Sequence, residues 1–363
     1  MLEVCDYHGP YAGNFIPSLV AVGEAVRSRL GLEYRCAFPR EMADRPWVAT
    51  VEAAGIPVSF LDGDGTRRER LGGLTATARA ADSVLMRSHF TGWDIETAVS
   101  GRRLGAAVVW NIHTGNLHYG LKRRLSDLIK VRLLGRLCDR VIGVSDEIGR
   151  EARMRGFAAE RVRPVLNGID MSRFAVPDLP SRETARADLA LTTDERVVLV
   201  LGWTPYRKGV DVVVRAVGRP HPLDRVTVLA VGAEALRQSL PAPLPAWLRI
   251  VEPVPDARVL YAAADVFVSA SREEAFSYAI GEAMAMRLPI ISSDIPGPSA
   301  YFDAPGLVRY PAEDALALRA ALTETLARPS RIDGNRDFVI ERLGLERHVD
   351  GVLSVFEEAL QAR

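Results

Sequence analysis

The chain has only three cysteines, Cys5, Cys36 and Cys138, spread widely through its 363 residues. They form neither a disulfide framework nor a zinc-ligand spacing, and they fit a reduced, cytoplasmic protein. Neither charge is in excess: Lys plus Arg and Asp plus Glu both number 46. A balanced chain is no general binder of nucleic acid or other polyanions, so any phosphate recognition has to be local. No apolar run approaches the roughly 18–20 residues that span a membrane. The start, MLEVCD, lacks the basic-then-apolar pattern of a signal peptide. Two nucleotide motifs are absent as well. There is no Gly-x4-Gly-Lys-Ser/Thr P-loop, and no Gly-x-Gly-x-x-Gly follows a strand, so a nicotinamide dehydrogenase loses its main support.

What is present is ordinary globular composition, 48% hydrophobic and 25% charged, in a length that suggests two domains. Short apolar runs alternate with amphipathic helical stretches in both halves. Residues 18–30 place Leu19, Val22, Val26 and Leu30 on one helical face. Strands are expected at 107–112, 140–144, 196–201, 226–231, 266–269 and 290–293, with helices at 121–137, from 210 and at 346–362. Such alternation implies parallel α/β sheets. A turn at 167–170 (NGID) and a proline-rich stretch at 176–181 divide the halves. The expected domains are 1–170 and 171–345, both Rossmann-like, with a C-terminal helix at 346–363 packing back on the first.

The most informative stretch is 271–294, SREEAFSYAIGEAMAMRLPIISSD. It leaves a strand, crosses a loop carrying Glu274, and enters a helix near Ser277–Ala279 that carries Glu282. A helix start offers N–H groups and a positive dipole end to a phosphate, and two nearby carboxylates suit sugar and ribose hydroxyls. The competing view is that both glutamates only complement the helix dipole. In 197–210, VVLVLGWTPYRKGV, a strand ends at Gly202 and Arg207 and Lys208 follow, where cations can stabilise a leaving diphosphate. Trp203 stands between them and the strand. In 8–18, HGPYAGNFIPS, Gly13 and Asn14 precede a helix and can present backbone N–H groups. His113 ends a strand in IHTGNLH; with His118 it offers a weak metal pair, and Asp62-Gly63-Asp64 reads as a surface turn.

Together these segments resemble the family 4 retaining glycosyltransferases of the GT-B fold, in which two Rossmann-like domains with parallel sheets face each other across a central cleft. The pieces are Glu274-x7-Glu282 with Ala283-Met284-Ala285, Leu288-Pro289 and Asp294; GW…RKGVD at 202–211; DRVIGVSDEI at 139–148; and VLNGIDMSRF at 165–174. The resemblance implies transfer from a nucleotide-diphosphate sugar, a UDP-sugar first, with retention and without an essential metal or other cofactor. Glu282 is then expected on ribose, and Glu274 and His113 on the transferred sugar. Phe276, Ser277, Tyr278 and Ala279 are expected beside phosphate and sugar. Lys208, helped by Arg207, and Gly13 are expected at the diphosphate. The family commonly has Arg where Trp203 stands, glycines at Ala275 and Ser277, and Glu at Ala300. The acceptor, a natural product, glycan or lipid, is expected on loops at 38–47 and 61–73. The basic stretch 122–136 reads as a solvated helix face, with anionic lipid as the rival partner. Alternatives are a nucleotide-sugar epimerase or phosphorylase on the same scaffold, or a non-catalytic nucleotide-sugar-binding protein.

Overall fold

The computed structural model describes residues 1–90, 92–114, 128, 131–175, 179–218, 223–240, 242–328 and 330–363. They divide into two compact units, Met1–Asp170 with Leu345–Arg363, and Met171–Gly344.

The first unit is built on a parallel sheet of β1 (Leu2–Cys5), β2 (Arg35–Pro39), β3 (Val58–Leu61), β4 (Leu85–His89), β5 (Ala107–Ile112), β6 (Arg140–Gly143) and β7 (Val162–Pro164), in the order β3-β2-β1-β4-β5-β6-β7. The central strands are buried on both faces, as strands of a doubly wound sheet must be. The helix Phe15–Leu30 turns Leu19, Val22 and Val26 into the core, and ends at Gly31 in the left-handed region, whose N–H returns to Val26. Thr66 and Glu69 close a reciprocal capping box ahead of Arg67–Ala80.

The C-terminal helix Leu345–Gln361 belongs to this unit. It buries Val349, Val352, Leu353 and Phe356 against the helix Phe15–Leu30 and against β5 and β6. Glu358 pairs with Arg140 and Arg163, both at 2.8 Å. His348 Nδ1 donates to the Leu166 carbonyl at 2.7 Å. A Cβ on Gly168 would lie 2.8 Å from the His348 Cβ and 2.9 Å from the Leu345 Cα. The Asn167-Gly168 stretch, which forms no turn here although one was expected, is therefore packed tightly beside the returning helix.

The second unit holds a parallel sheet of β8 (Arg196–Leu201), β9 (Val226–Val231), β10 (Leu248–Val251), β11 (Val266–Ser269), β12 (Ile290–Ser293) and β13 (Leu307–Tyr310), in the order β10-β9-β8-β11-β12-β13. Its core is rich in valine, with Val198, Val200, Val213, Val217, Val228 and Val268 almost fully buried. Behind it, Asp265 takes Arg182 at 2.6 Å and Arg186 at 2.9 Å.

In both sheets the strand order reverses beside the first strand: between β1 and β4, and between β8 and β11. Crevices at such reversals, beyond the carboxyl ends of the strands, are where doubly wound sheets take their ligands.

Some expectations change. The strand expected at 140–144 stops at Gly143. The stretches 38–47 and 61–73 are not open loops throughout: Trp47 is buried, its ring N–H donating to the Gly9 carbonyl at 3.0 Å, and a helix starts at Arg67. Apolar burial wins over loop exposure at Phe38 and Trp47, whose rings meet edge-on at 4.9 Å. Asp62 is exposed and bound to Arg40. Of the helix expected at 121–137, Gly135–Leu137 is a 3-10 turn and most of the rest lies outside the described residues, as do His118 and 176–178.

Candidate functional site

In the second unit the chain turns sharply after β8. Gly209 has φ +64°, and a Cβ there would lie 1.9 Å from the Ala270 carbonyl oxygen, so only glycine lets this turn approach β11 so closely. That approach carries Lys208 inward. Its ammonium donates to Glu274 Oε1, and both side chains are about nine-tenths buried. Ser271 Oγ donates to the same carboxylate at 2.9 Å. Gly297 backs the loop from the other side, where a Cβ would sit 1.9 Å from the Glu274 carbonyl oxygen.

The helix Tyr278–Ala285 starts beside this pair. Ser277 is its N-cap and makes no side-chain capping bond. Its carbonyl instead accepts from the buried Tyr301 hydroxyl at 2.8 Å. A depression at the β8–β11 reversal is lined by Lys208, Ser271, Ser277 and Ala279. Phe276 is buried, edge-on to Tyr278 at 5.3 Å. One turn further in, Glu282 accepts from the Tyr261 hydroxyl at 2.9 Å and faces Arg173 at 3.7 Å. Burial, then the Glu282 charge, push the Tyr261 phenol well up, so it stays a donor.

Arg207 is exposed, its Nε donating to Thr204 Oγ1 at 3.3 Å. It is not part of the inner pair; the second cation here is the partly buried Arg272, which forks onto Asp211 with two bonds of 2.8 Å and covers the Tyr206 ring at 4.2 Å. Trp203 is half-exposed, its ring 5.5 Å from the Lys208 ammonium.

In the first unit, the β1–β4 reversal holds a buried polar chain. Register pairs Glu3 with Arg87, Cys5 with His89, and His89 with Asn111. Arg87 Nε donates to Glu3 at 2.8 and 3.1 Å, and His89 Nε2 lies 3.0 Å from Glu3 Oε2. His89 Nδ1 is 2.8 Å from His113 Nε2, and the Asn111 side-chain amide is 3.1 Å from the same nitrogen. Burial opposes the Glu3 charge, but Arg87 and His89 together hold its carboxyl at about 2. Burial, then Arg87, lowers His89; burial, then His89 and Arg87, lowers His113 well below the ordinary imidazole value. Phe90 stacks on His113 at 4.2 Å from a left-handed backbone with φ +65°, a strained placement of the kind found at working sites. Gly13, with φ +54°, and the buried Asn14 stand at the start of the helix Phe15–Leu30.

Glu3, Cys5 and His89 bring three ligand-type atoms within 4.8 Å of one another. The guanidinium of Arg87 already occupies that carboxylate, which disfavours a cation beside it. Sequence reasoning found His113 and missed Glu3, Arg87 and His89. The signal was available: LEVC and LMRSH put charged and polar residues into strands that otherwise read as buried apolar runs. It also missed Ser271, Tyr261 and Arg173, which converge on the carboxylates only through the fold.

Comparison with known proteins adds to this geometry. Residues 37–173 match the model for Glycosyltransferase Family 4, and 195–328 match that for Glycosyl transferases group 1. A D-inositol 3-phosphate glycosyltransferase of Xylanimonas cellulosilytica is 26% identical over 61% of this chain and 57% of its own. An alpha-maltose-1-phosphate synthase of Mycolicibacterium smegmatis is 31% identical over 52% and 53%. The chain thus spans about half the length of the curated relatives it matches. Among solved structures, Anabaena HepE in complex with UDP and glucose superposes with a TM-score of 0.80, at 17% identity, over 98% of this chain and 99% of that one. Sucrose-phosphate synthase of Thermosynechococcus elongatus does so at 0.77 and 19%, over 100% and 99%. At these identities the likeness is one of fold. Among the described residues no helix is long and apolar enough to cross a membrane.

Proposed function

The chain belongs to the group 1, family 4 glycosyltransferases, on the GT-B pair of Rossmann-like domains, and on that premise we propose that it moves a sugar from a nucleoside-diphosphate sugar, a UDP-sugar first, to an acceptor with retention of configuration. The observation that carries this reading is the buried Lys208–Glu274 pair beside the start of the helix Tyr278–Ala285, at the reversal of the second sheet. HepE, a structural neighbour, was solved with UDP and with UDP-glucose, which favours a uridine donor.

The diphosphate lies against the helix start, where the dipole and the first N–H groups favour an anion. Lys208 turns from Glu274 to the phosphate and stabilises the charge that develops as the glycosidic bond breaks. Glu274, freed from its cation, accepts from hydroxyls of the transferred sugar; in the first unit, His113 is read on its own as a sugar contact. Glu282, oriented by Tyr261 and faced by Arg173, takes the ribose hydroxyls. The acceptor oxygen attacks from the face the phosphate leaves, and a leaving phosphate oxygen takes its proton. The lysine supplies the cationic role here, so the reading needs no essential metal.

The test is a panel of UDP-, GDP-, ADP- and dTDP-sugars, scored first for nucleotide release and then for product anomer by NMR. The reading expects release from one donor class and a product with the donor's anomeric configuration. Release from none, or an inverted product, contradicts it.

A further inference from the structure

We propose that Glu3 and His89 are positioning residues that fix His113 as the Nε2–H tautomer, so that its Nδ1 meets the substrate as a hydrogen-bond acceptor only. The proposal rests on the reading that His113 is a sugar contact, and it follows from counting protons along one buried chain. Glu3 carries a negative charge and can only accept. Arg87 Nε fills part of its capacity, and His89 Nε2, 3.0 Å away, donates to the rest. A neutral His89 then has no proton on Nδ1, which must accept. The atom 2.8 Å from it is His113 Nε2, so that nitrogen carries the proton. The Asn111 amide lies 3.1 Å from the same nitrogen through its Nδ2; a proton on His113 Nε2 requires that carboxamide turned over, so that its oxygen accepts, an orientation that the hydrogen-bond network assigns. His113 Nδ1 is left as a bare lone pair, with no hydrogen-bond partner among the described residues.

The other assignments conflict with this geometry. Two unprotonated nitrogens 2.8 Å apart would set lone pair against lone pair. A proton on His89 Nδ1 as well as Nε2 would make it an imidazolium in a buried strand, beside Arg87, which already balances Glu3. Phe15 and Phe90 close around both imidazoles, with centroid distances of 5.2 Å from Phe15 to His89 and 4.2 Å from Phe90 to His113. The rings cannot easily turn over to exchange roles. A carboxylate that sets an imidazole's tautomer through the far nitrogen is a familiar device; here a second imidazole is interposed.

The chain has six histidines, so imidazole nitrogens can be assigned by single substitutions in the full-length, histidine-labelled protein. Two-bond nitrogen–proton NMR spectra at pH 7 should show His89 and His113 neutral, each protonated at Nε2. An Nδ1–H tautomer or an imidazolium at His113 overturns the proposal. His89→Phe keeps the packing and removes both nitrogens. It should give a mixed His113 tautomer and lower kcat at least about tenfold with KM nearly unchanged. His89→Gln, whose amide can donate to Glu3 and accept from His113, should restore a single tautomer and most of kcat. A His113 that stays purely Nε2–H in His89→Phe shows that the chain does not set it, and sinks the idea. If His89→Phe does not fold, the wild-type and His89→Gln spectra still decide. Full activity in His113→Ala would overturn the sugar-contact reading instead, and the spectra would still judge the tautomer.

Discussion

Lys208 and Glu274, 66 positions apart in sequence, form one ion pair shut between the turn after β8 and the loop after β11. A buried pair is weak evidence for stability, because desolvation offsets attraction, yet losing one partner strands the other charge at about 3–5 kcal/mol. Lys208→Met and Glu274→Leu should therefore each lower the chemical-denaturation midpoint clearly. The double variant should recover much of that loss. If the double loses as much as the two singles combined, the charges are not coupled.

Trp203 stands where the family resemblance leads one to expect a second cation, with its ring 5.5 Å from the Lys208 ammonium. A half-exposed cation–π contact is worth about 0.5–1 kcal/mol. Trp203→Ala should raise the donor KM only about two- to fivefold. Trp203→Arg should tighten donor binding at low salt and lose that gain at high salt, as added charge does. Steady-state kinetics at two ionic strengths check both.

Gly209 and Gly297 are the backbone conditions for the pair. Alanine at either would bring a Cβ to 1.9 Å of a carbonyl oxygen, of Ala270 and of Glu274 respectively. Gly209→Ala also meets strain at φ +64°. Each should lower turnover at least about tenfold by moving Lys208 or Glu274, as misplaced catalytic groups do. Near-normal turnover in both would mean that the pair's position does not matter.

Burial lowers His348 from 6.5 to about 4 against its bond to Leu166. The folded value lies below the unfolded one, so on acidification the unfolded chain takes up the proton first. Stability is full above pH 6.5 and falls as the pH drops toward 4, by up to about 3 kcal/mol at roughly 1.4 kcal/mol per unit. His89 and His113, also lowered, act with the same sign, and Glu3 adds a further loss below the ordinary carboxylate range. His348→Asn should flatten the pH dependence of unfolding between 6.5 and 4. An unchanged slope would locate the titration elsewhere.

Legibility in the sequence followed the physics of each element. Ala107–Ile112, Arg196–Leu201, Val226–Val231, Val266–Ser269 and Ile290–Ser293 are buried apolar runs, and they appear as strands at the expected bounds. The strands β10 and β13, with half-buried residues such as Arg249 and an exposed Val308, carry a weaker signal and were not anticipated. Lys208 and Glu274 were legible as single residues on separate segments. That one would hold the other was not, because their approach depends on Gly209 fitting against Ala270. Arg207 looked equivalent to Lys208 in sequence, yet the same turn buries one side chain and leaves its neighbour in solvent.

The central claim is that Lys208 binds the diphosphate of the donor at the reversal of the second sheet. Calorimetric titration of wild type and Lys208→Ala with UDP and with uridine isolates it, with circular dichroism verifying the fold. The wild type should prefer UDP strongly, and Lys208→Ala should cut that preference at least about tenfold, the cost of losing a charge-assisted contact, while uridine binding changes little. An undiminished preference for UDP in Lys208→Ala would contradict the account.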